Sequence, residues 1–146
     1  MLMSMLEDTV VSIQVYKAAD NETLTGSGVD MKGYRRVAFI VGAAGGEDFS
    51  TWAIKAQQDV SSAFGSAADL LGTAKTFSTG ASPSTDGVAV LEIVEPTERY
   101  VRPIITVPNV STAKVTFCVA IRFGAKELPV SGNVGELHVS PAEGTA

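Results

Sequence analysis

One histidine and one cysteine bound the chemistry open to these 146 residues. His138 lies in a Pro- and Gly-rich C-terminal stretch, and Cys118 in the apolar run 115–121. A single His with one distant Cys gives neither a metal-ligand set nor a Cys–His nucleophile pair. Cys118 therefore reads as a buried, inert thiol. The glycines at 42, 45 and 46 are not followed by Lys-Ser or Lys-Thr, and so form no P-loop. Gly26-Ser27-Gly28 is too short for a dinucleotide fingerprint and precedes a strand. Glu47-Asp48 reads as a solvated acidic pair on a Gly-rich loop. Glu92/Glu95 and Glu98/Arg99 have no apolar pocket around them in the sequence, so paired acid–base catalysis has no support. No catalytic residue, metal ligand or cofactor is expected, and the chain is not expected to be an enzyme.

What remains is binding chemistry. Trp52 could stack on a sugar, but it sits at the apolar parity of an alternating strand and reads as core. Tyr100 and Arg102 share one face of their strand and are of types enriched at subunit contacts. The C-terminal stretch from Gly124 holds Gly132, Gly135, Gly144, Pro129 and Pro141, which deny it a long element. It also holds Leu128, Val130, Val134, Leu137 and Val139, which are too apolar for a solvated tail. It reads as an extended arm over 126–146 that crosses to a neighbouring subunit or a partner protein, with the Pro103 strand a candidate edge for it. Candidate interface residues are thus Tyr100, Arg102, Leu128, Val130, Val134, Leu137 and Val139.

The elements that would position these groups are strands. Val29–Gly42 is central: a short extended piece, a turn at Lys32-Gly33, then Arg35–Val41, bracketed by Gly33 and Gly42 as breakers. In it Val37, Phe39 and Val41 form one apolar face, Ala38 and Ile40 the other, as an interior strand requires. Asp8–Lys17 is a strand in which Val11, Ile13 and Val15 alternate with Ser12, Gln14 and Tyr16. Ala18–Gly28 is a polar loop. Thr51–Asp59 alternates Trp52, Ile54 and Ala56 against Lys55, Gln57 and Asp59, the pattern of an antiparallel strand with one wet face. The spacing of Val60, Phe64, Ala67, Ala68 and Leu71 predicts a short helix within Val60–Gly72. Lys75–Phe77 is a short strand inside a loop. Gly87–Val94, Arg99–Val107 and Ala113–Arg122 close the domain, the last with Val115, Phe117, Val119 and Ile121 as its apolar stripe. Pro103 places its strand at an edge, or bulged. Short strands with frequent turns predict an all-β fold: an antiparallel β-sandwich of jelly-roll or immunoglobulin-like type over 1–125.

The length favours one domain. Hydrophobic residues make up 45% of the chain and charged residues 18%, so some apolar surface is expected to be covered by partners. Net charge is −5, with no basic block beyond Arg35-Arg36. That argues against nucleic acid and against an anionic membrane as partners. The start lacks a signal-peptide pattern and no run is long enough to span a membrane, so synthesis in a cytosol is expected. Asn109-Val110-Ser111 is read as a chance sequon.

Taken in order, VDMKGYRRVAFIV, STWAIKAQQDV, ADLLG, ERYVRPIITV and KELPV resemble a family of small tailed-phage virion proteins. Lys32-Gly33-Tyr34 and Arg99-Tyr100-Val101-Arg102 are the most specific pieces, and the likeness runs from about Val29 to Val130. Members are taken to be head decoration (cement) proteins or related head components. The resemblance implies a structural protein on the outer surface of an icosahedral capsid, made in the host cytoplasm. Its implied partners are the major capsid protein and itself, as a homotrimer. Two other readings stay open. A head–tail or tail component would differ in copy number per particle, and a carbohydrate-binding sandwich would need Trp52 or a Tyr on a wet face.

Overall fold

The computed structural model describes residues 5–44, 50–78, 87–109 and 114–127. After a helical turn, α1 (Met5–Asp8), come ten strands: β1 (Val10–Ala19), β2 (Thr23–Thr25), β3 (Val29–Asp30), β4 (Tyr34–Ala44), β5 (Thr51–Asp59), β6 (Ala68–Asp69), β7 (Lys75–Ser78), β8 (Gly87–Val94), β9 (Tyr100–Thr106) and β10 (Lys114–Ala125). They form two antiparallel sheets packed as a β-sandwich, as the strand pattern predicts. One sheet has the order β1-β10-β4-β8; the other runs β2-β9-β5-β6, with β3 also on β9 and β7 also on β5. The chain changes sheet between β1 and β2, and again after β3, β4, β7, β8 and β9. No two strands of the four-stranded sheet are therefore joined by a hairpin. Among the described residues no helix is long and apolar enough to cross a membrane.

β4 is the interior strand its two apolar faces demand, lying between β10 and β8. Val37, Phe39 and Val41 are fully buried between the sheets, each worth roughly 1.5–3 kcal/mol of hydrophobic stabilisation before ordering entropy. Trp52, Ile54 and Ala56 of β5 face them from the other sheet, joined by Val101 and Ile105 of β9. The Trp52 indole N–H donates to the Thr116 hydroxyl of β10 at 3.3 Å, across the sandwich. Trp52 is therefore a core residue and no exposed platform.

Several local expectations are corrected. Gly42 does not end β4, which continues to Ala44. A Cβ at Gly42 would lie 2.5 Å from the Phe117 ring, so the glycine makes room for that ring on the sheet face. In β1 the simple alternation fails. Ile13 pairs with Val119 and Val15 with Cys118, leaving Gln14 as a bulge residue. The bulge turns Ile13 outward, Val15 inward, and the buried Gln14 toward the loop, where its side-chain oxygen accepts the Gly28 N–H at 2.8 Å. The stripe Val115, Phe117, Val119 and Ile121 of β10 faces outward; Thr116, Cys118 and Ala120 fill the interior. The loop 18–28 contains β2.

The helix expected within Val60–Gly72 is replaced by turns and β6. The Asp59 carboxylate takes the N–H groups of Ser61 and Ser66, both at 2.8 Å, folding the loop back on itself. These bonds hold its pKa below the usual carboxylate range. Phe64 adopts φ 51° and is buried, while Val60 and Leu71, assigned to the helix's apolar face, are exposed. Side-chain bonds to backbone N–H groups outcompete helix here.

β9 is likewise an interior strand and no edge. Pro103 is tolerated because β2 and β3 break opposite it. Thr25 pairs with Ile104 and Val29 with Val101, so residues 26–28 stand across from Arg102 and Pro103. The Pro103 carbonyl accepts the Gly26 N–H at 2.9 Å, and its missing donor faces the break.

Cys118 is fully buried, and burial pushes its thiol up to about 12. Since the thiolate is the reactive form, a thiol reagent is expected to leave native protein unlabelled over a time in which denatured protein reacts fully. Rapid native labelling would contradict this placement. Cys118→Ala is expected to cost about 1 kcal/mol.

Candidate functional site

The two sequence pieces that carry the family resemblance meet in space. β3 pairs with β9, setting Asp30 opposite Tyr100 and Val29 opposite Val101. Arg99 grips the Asp30 carboxylate with two nitrogens, at 2.9 and 2.7 Å. Asp30 also accepts the Lys32 N–H at 2.9 Å, and its carbonyl takes Arg122 at 2.8 Å. The turn then closes through the Tyr34 N–H to the Met31 carbonyl, with Gly33 at φ 87°, which suits glycine. Arg122 lies 4.7 Å over the Tyr34 ring. The conspicuous motif is thus a clamp tying the start of β4 to β9.

That clamp has a pH signature. Chiefly through its bond from Arg99, the Asp30 carboxyl is lowered to about 2. A carboxylate with a depressed folded pKa stabilises fully above its unfolded value, near 4, and loses that contribution as pH falls through about 2. The pair is more than one-third exposed, so its contribution is that of a surface ion pair. Acid titration of Asp30→Asn is expected to show a shallower stability loss between about pH 4 and 2 than the parent protein. Parallel acid limbs would show that the clamp carries no such linkage.

Tyr100 and Arg102 lie on the outer side of the six-stranded sheet. Both are half-buried. Arg102 donates from two nitrogens to the Gln57 side-chain oxygen, at 3.0 and 2.8 Å, and stacks 4.4 Å over Phe64. Gln57 donates to Asp69 at 2.8 Å, and Lys55 reaches the same carboxylate at 2.6 Å. This sheet face is a connected polar network with its partners inside the chain. Tyr100 sits under the Arg99 guanidinium at 5.0 Å. The other interface candidates, Leu128, Val130, Val134, Leu137 and Val139, lie outside the described residues, as do His138 and Glu47-Asp48.

The opposite outer face, that of the four-stranded sheet, is of another kind. Register places Ile13, Val119, Ile40 and Val90 in one row across all four strands. Adjacent rows read Val11, Ile121, Ala38, Glu92 and Tyr16, Phe117, Gly42, Val88, and a further row holds Phe123, Arg36 and Val94. Ile13 is 72% exposed, Tyr16 76%, Val88 64% and Val90 62%. The charges in these rows are Arg36 and Glu92, which pair with each other; Arg36 also lies 4.8 Å over Phe123. At about 4.8 Å per strand and about 3.4 Å per residue, four strands by eight residues give a face of roughly 500 Å². Apolar patches of that size on a monomer are commonly functional. The reading of Tyr100 and Arg102 missed this surface. Its one sequence signal was β10 and β4 being apolar at both parities.

A shallow open depression of about 640 Å³ lies at the clamp end, lined by Lys32, Arg35, Arg99 and Lys126 together with Glu95 and Glu98. Its charges are mixed and do not converge on a point. Among the described residues no group of three or more His, Cys, Asp or Glu side chains could hold a metal ion.

No family model matches the chain, and no curated protein matches it. Among solved structures, its fold is similar to that of the PBSX exported protein XepA. The TM-score is 0.56 and the identity 17%, over 92% of this chain and 44% of that one. The chain thus spans less than half the length of XepA, and the likeness is one of fold.

Proposed function

We propose that this protein is a structural component of a tailed-phage virion, and within that class a head decoration protein that contacts the major capsid protein on the outside of the shell. The observation that carries this reading is the apolar outer face of the four-stranded sheet. Leaving such a surface in water is unfavourable, whereas burying it against protein contributes about 25 cal/mol per Å². The resemblance of Lys32-Gly33-Tyr34 and Arg99-Tyr100-Val101-Arg102 to small virion proteins supports the same class, and the fold similarity to XepA supports the sandwich on which it rests. A protein that binds only the assembled shell stabilises it by mass action, with no reaction needed. Neither nucleic acid nor membrane is a partner in this reading.

The test is decoration in vitro. Heads assembled without this protein are mixed with it, sedimented, and the bound copies counted against capsid protein. Saturable binding in proportion to capsid protein, with a raised melting temperature of the shell, is the expected result. Binding only to tails, or in the copy number of a single ring, would replace decoration by a head–tail or tail role. No binding to any virion part would end the reading.

A further inference from the structure

We infer that the C-terminal segment 134–140, which lies outside the described residues, adds to its own domain as a further strand, pairing antiparallel with the open edge of β8. The inference concerns the edge of the four-stranded sheet and does not rest on the proposed function.

β8 ends the order of its sheet. Its eight residues, Gly87–Val94, hold no Pro, no Lys and no bulge, the features that blunt an exposed edge. The other sheet ends differ: β1 is bulged at Gln14, and β2, β3, β6 and β7 are at most four residues long. The phase of the ladder shows which groups of β8 are open. The Glu95 N–H donates to the Arg35 carbonyl at 2.7 Å, and these two stand opposite each other, next to Arg36 and Val94. In an antiparallel pair bonded and non-bonded positions alternate. Residues 89, 91 and 93 therefore bond to β4, and the N–H and C=O groups of Val88, Val90, Glu92 and Val94 point away from it. Among the described residues no strand takes them.

Three observations single out the chain's own C-terminal segment. The first is direction. Ala125 of β10 pairs with Tyr34, and Val94 with Arg36, so β10 ends at the Val94 end of β8. A chain returning from there runs antiparallel to β8. The second is reach. The position beyond β8 lies three strand spacings from β10, about 14 Å, and residues 128–133 can extend to about 20 Å. The open depression lined by Lys126, Glu95 and Pro96 lies along that path. So short a tether holds the segment at an effective concentration on the order of millimolar, ahead of a strand from another molecule. The third is parity. Leu137 and Val139 alternate with Glu136, His138 and Ser140. Set inward, in line with Leu91 and Ile93, they leave the polar residues facing water. Opposed residues share a face, so this setting brings the backbone groups of Glu136, His138 and Ser140 against the open groups of β8. Pro141, which has no N–H, then falls where none is needed. The reverse setting buries Glu136 and His138 and puts Pro141 where the ladder takes a donor.

The test is residue-resolved amide hydrogen exchange of the full chain. The Val90 and Glu92 N–H groups, in the middle of the open edge, are expected to exchange about a hundredfold or more slowly than in His138→Pro, which removes a donor from the added strand. Leu137→Asp, which removes its apolar anchor, is expected to release the same two groups. His138→Ala trims only a side chain facing water and is expected to leave their protection in place. The Leu91 N–H, bonded to β4, is expected to stay slow throughout and reports that the domain is folded. Fast exchange at Val90 and Glu92 in the full chain would overturn the inference, as would protection that survives both His138→Pro and Leu137→Asp. Protection that fades on dilution would assign the segment to a neighbouring copy and overturn it too. Loss of protection at Leu91 in both variants would make the segment part of the core, against its place as an added edge strand. Shell binding is measured separately, so its failure sinks the proposed function and leaves this inference standing.

Discussion

Trp52→Ala is expected to bring the protein close to unfolding at room temperature. Trp52 is the largest fully buried side chain. Truncating a buried aromatic to Ala costs about 3–5 kcal/mol through lost transfer energy and the cavity left behind. The substitution also removes the indole donor from the buried Thr116 hydroxyl, and an unpaired buried polar group costs a further 1–3 kcal/mol or so. Phe77, whose ring stacks on Trp52 at 6.0 Å, loses its neighbour as well. Domains of this kind have only about 5–15 kcal/mol in all. Chemical denaturation is the measurement, and a loss under about 2 kcal/mol would place Trp52 outside the core.

Phe39→Ala is the second large effect, expected at about 3–5 kcal/mol. Phe39 is fully buried in β4, whose hydrogen bonds run to β10 on one side and β8 on the other, so the backbone around the cavity has little freedom to collapse. Phe117 is the internal comparison. Its ring lies on the outer face over Gly42 and is only partly shielded, so Phe117→Ala should cost the single chain far less. Equal losses for the two substitutions would mean that the faces of the four-stranded sheet have been assigned the wrong way round.

Much of the architecture was legible because strand patterns are local. In Thr51–Asp59 the burial of Trp52, Ile54 and Ala56 follows from parity alone, whereas Asp59, of the opposite parity, is buried under the loop whose N–H groups its carboxylate binds. β4 is apolar on both faces and is interior. The turn at Lys32-Gly33 follows from glycine's tolerance of positive φ. What misled were places where a local pattern had two solutions. Val60–Leu71 has helical spacing, but Asp59 and the serines capture the backbone first. β1 alternates, but a single bulge at Gln14 reverses which half of it faces inward. Pro103 signals an edge, but a break in the neighbouring strand leaves the same room inside a sheet.

The sequence by itself therefore determined that the domain is built mainly of short antiparallel strands, that β4 is interior, and that Trp52 and Phe39 are core. It also carried the two motifs that the fold joins as a clamp. Only the tertiary structure decided that the four-stranded sheet has a second, exposed apolar face. β10 shows why. Both of its stripes are apolar enough to be buried, and the larger one, with Val115, Phe117, Val119 and Ile121, was the natural choice for the core. The gap between two sheets is about 10 Å and must be filled at near-crystalline density. Trp52 comes across from β5 to Thr116, and Phe39 stands beside β10 on the same inner face. With large side chains already there, only the small stripe of Thr116, Cys118 and Ala120 fits inside. The large stripe is turned outward onto the exposed face of the four-stranded sheet.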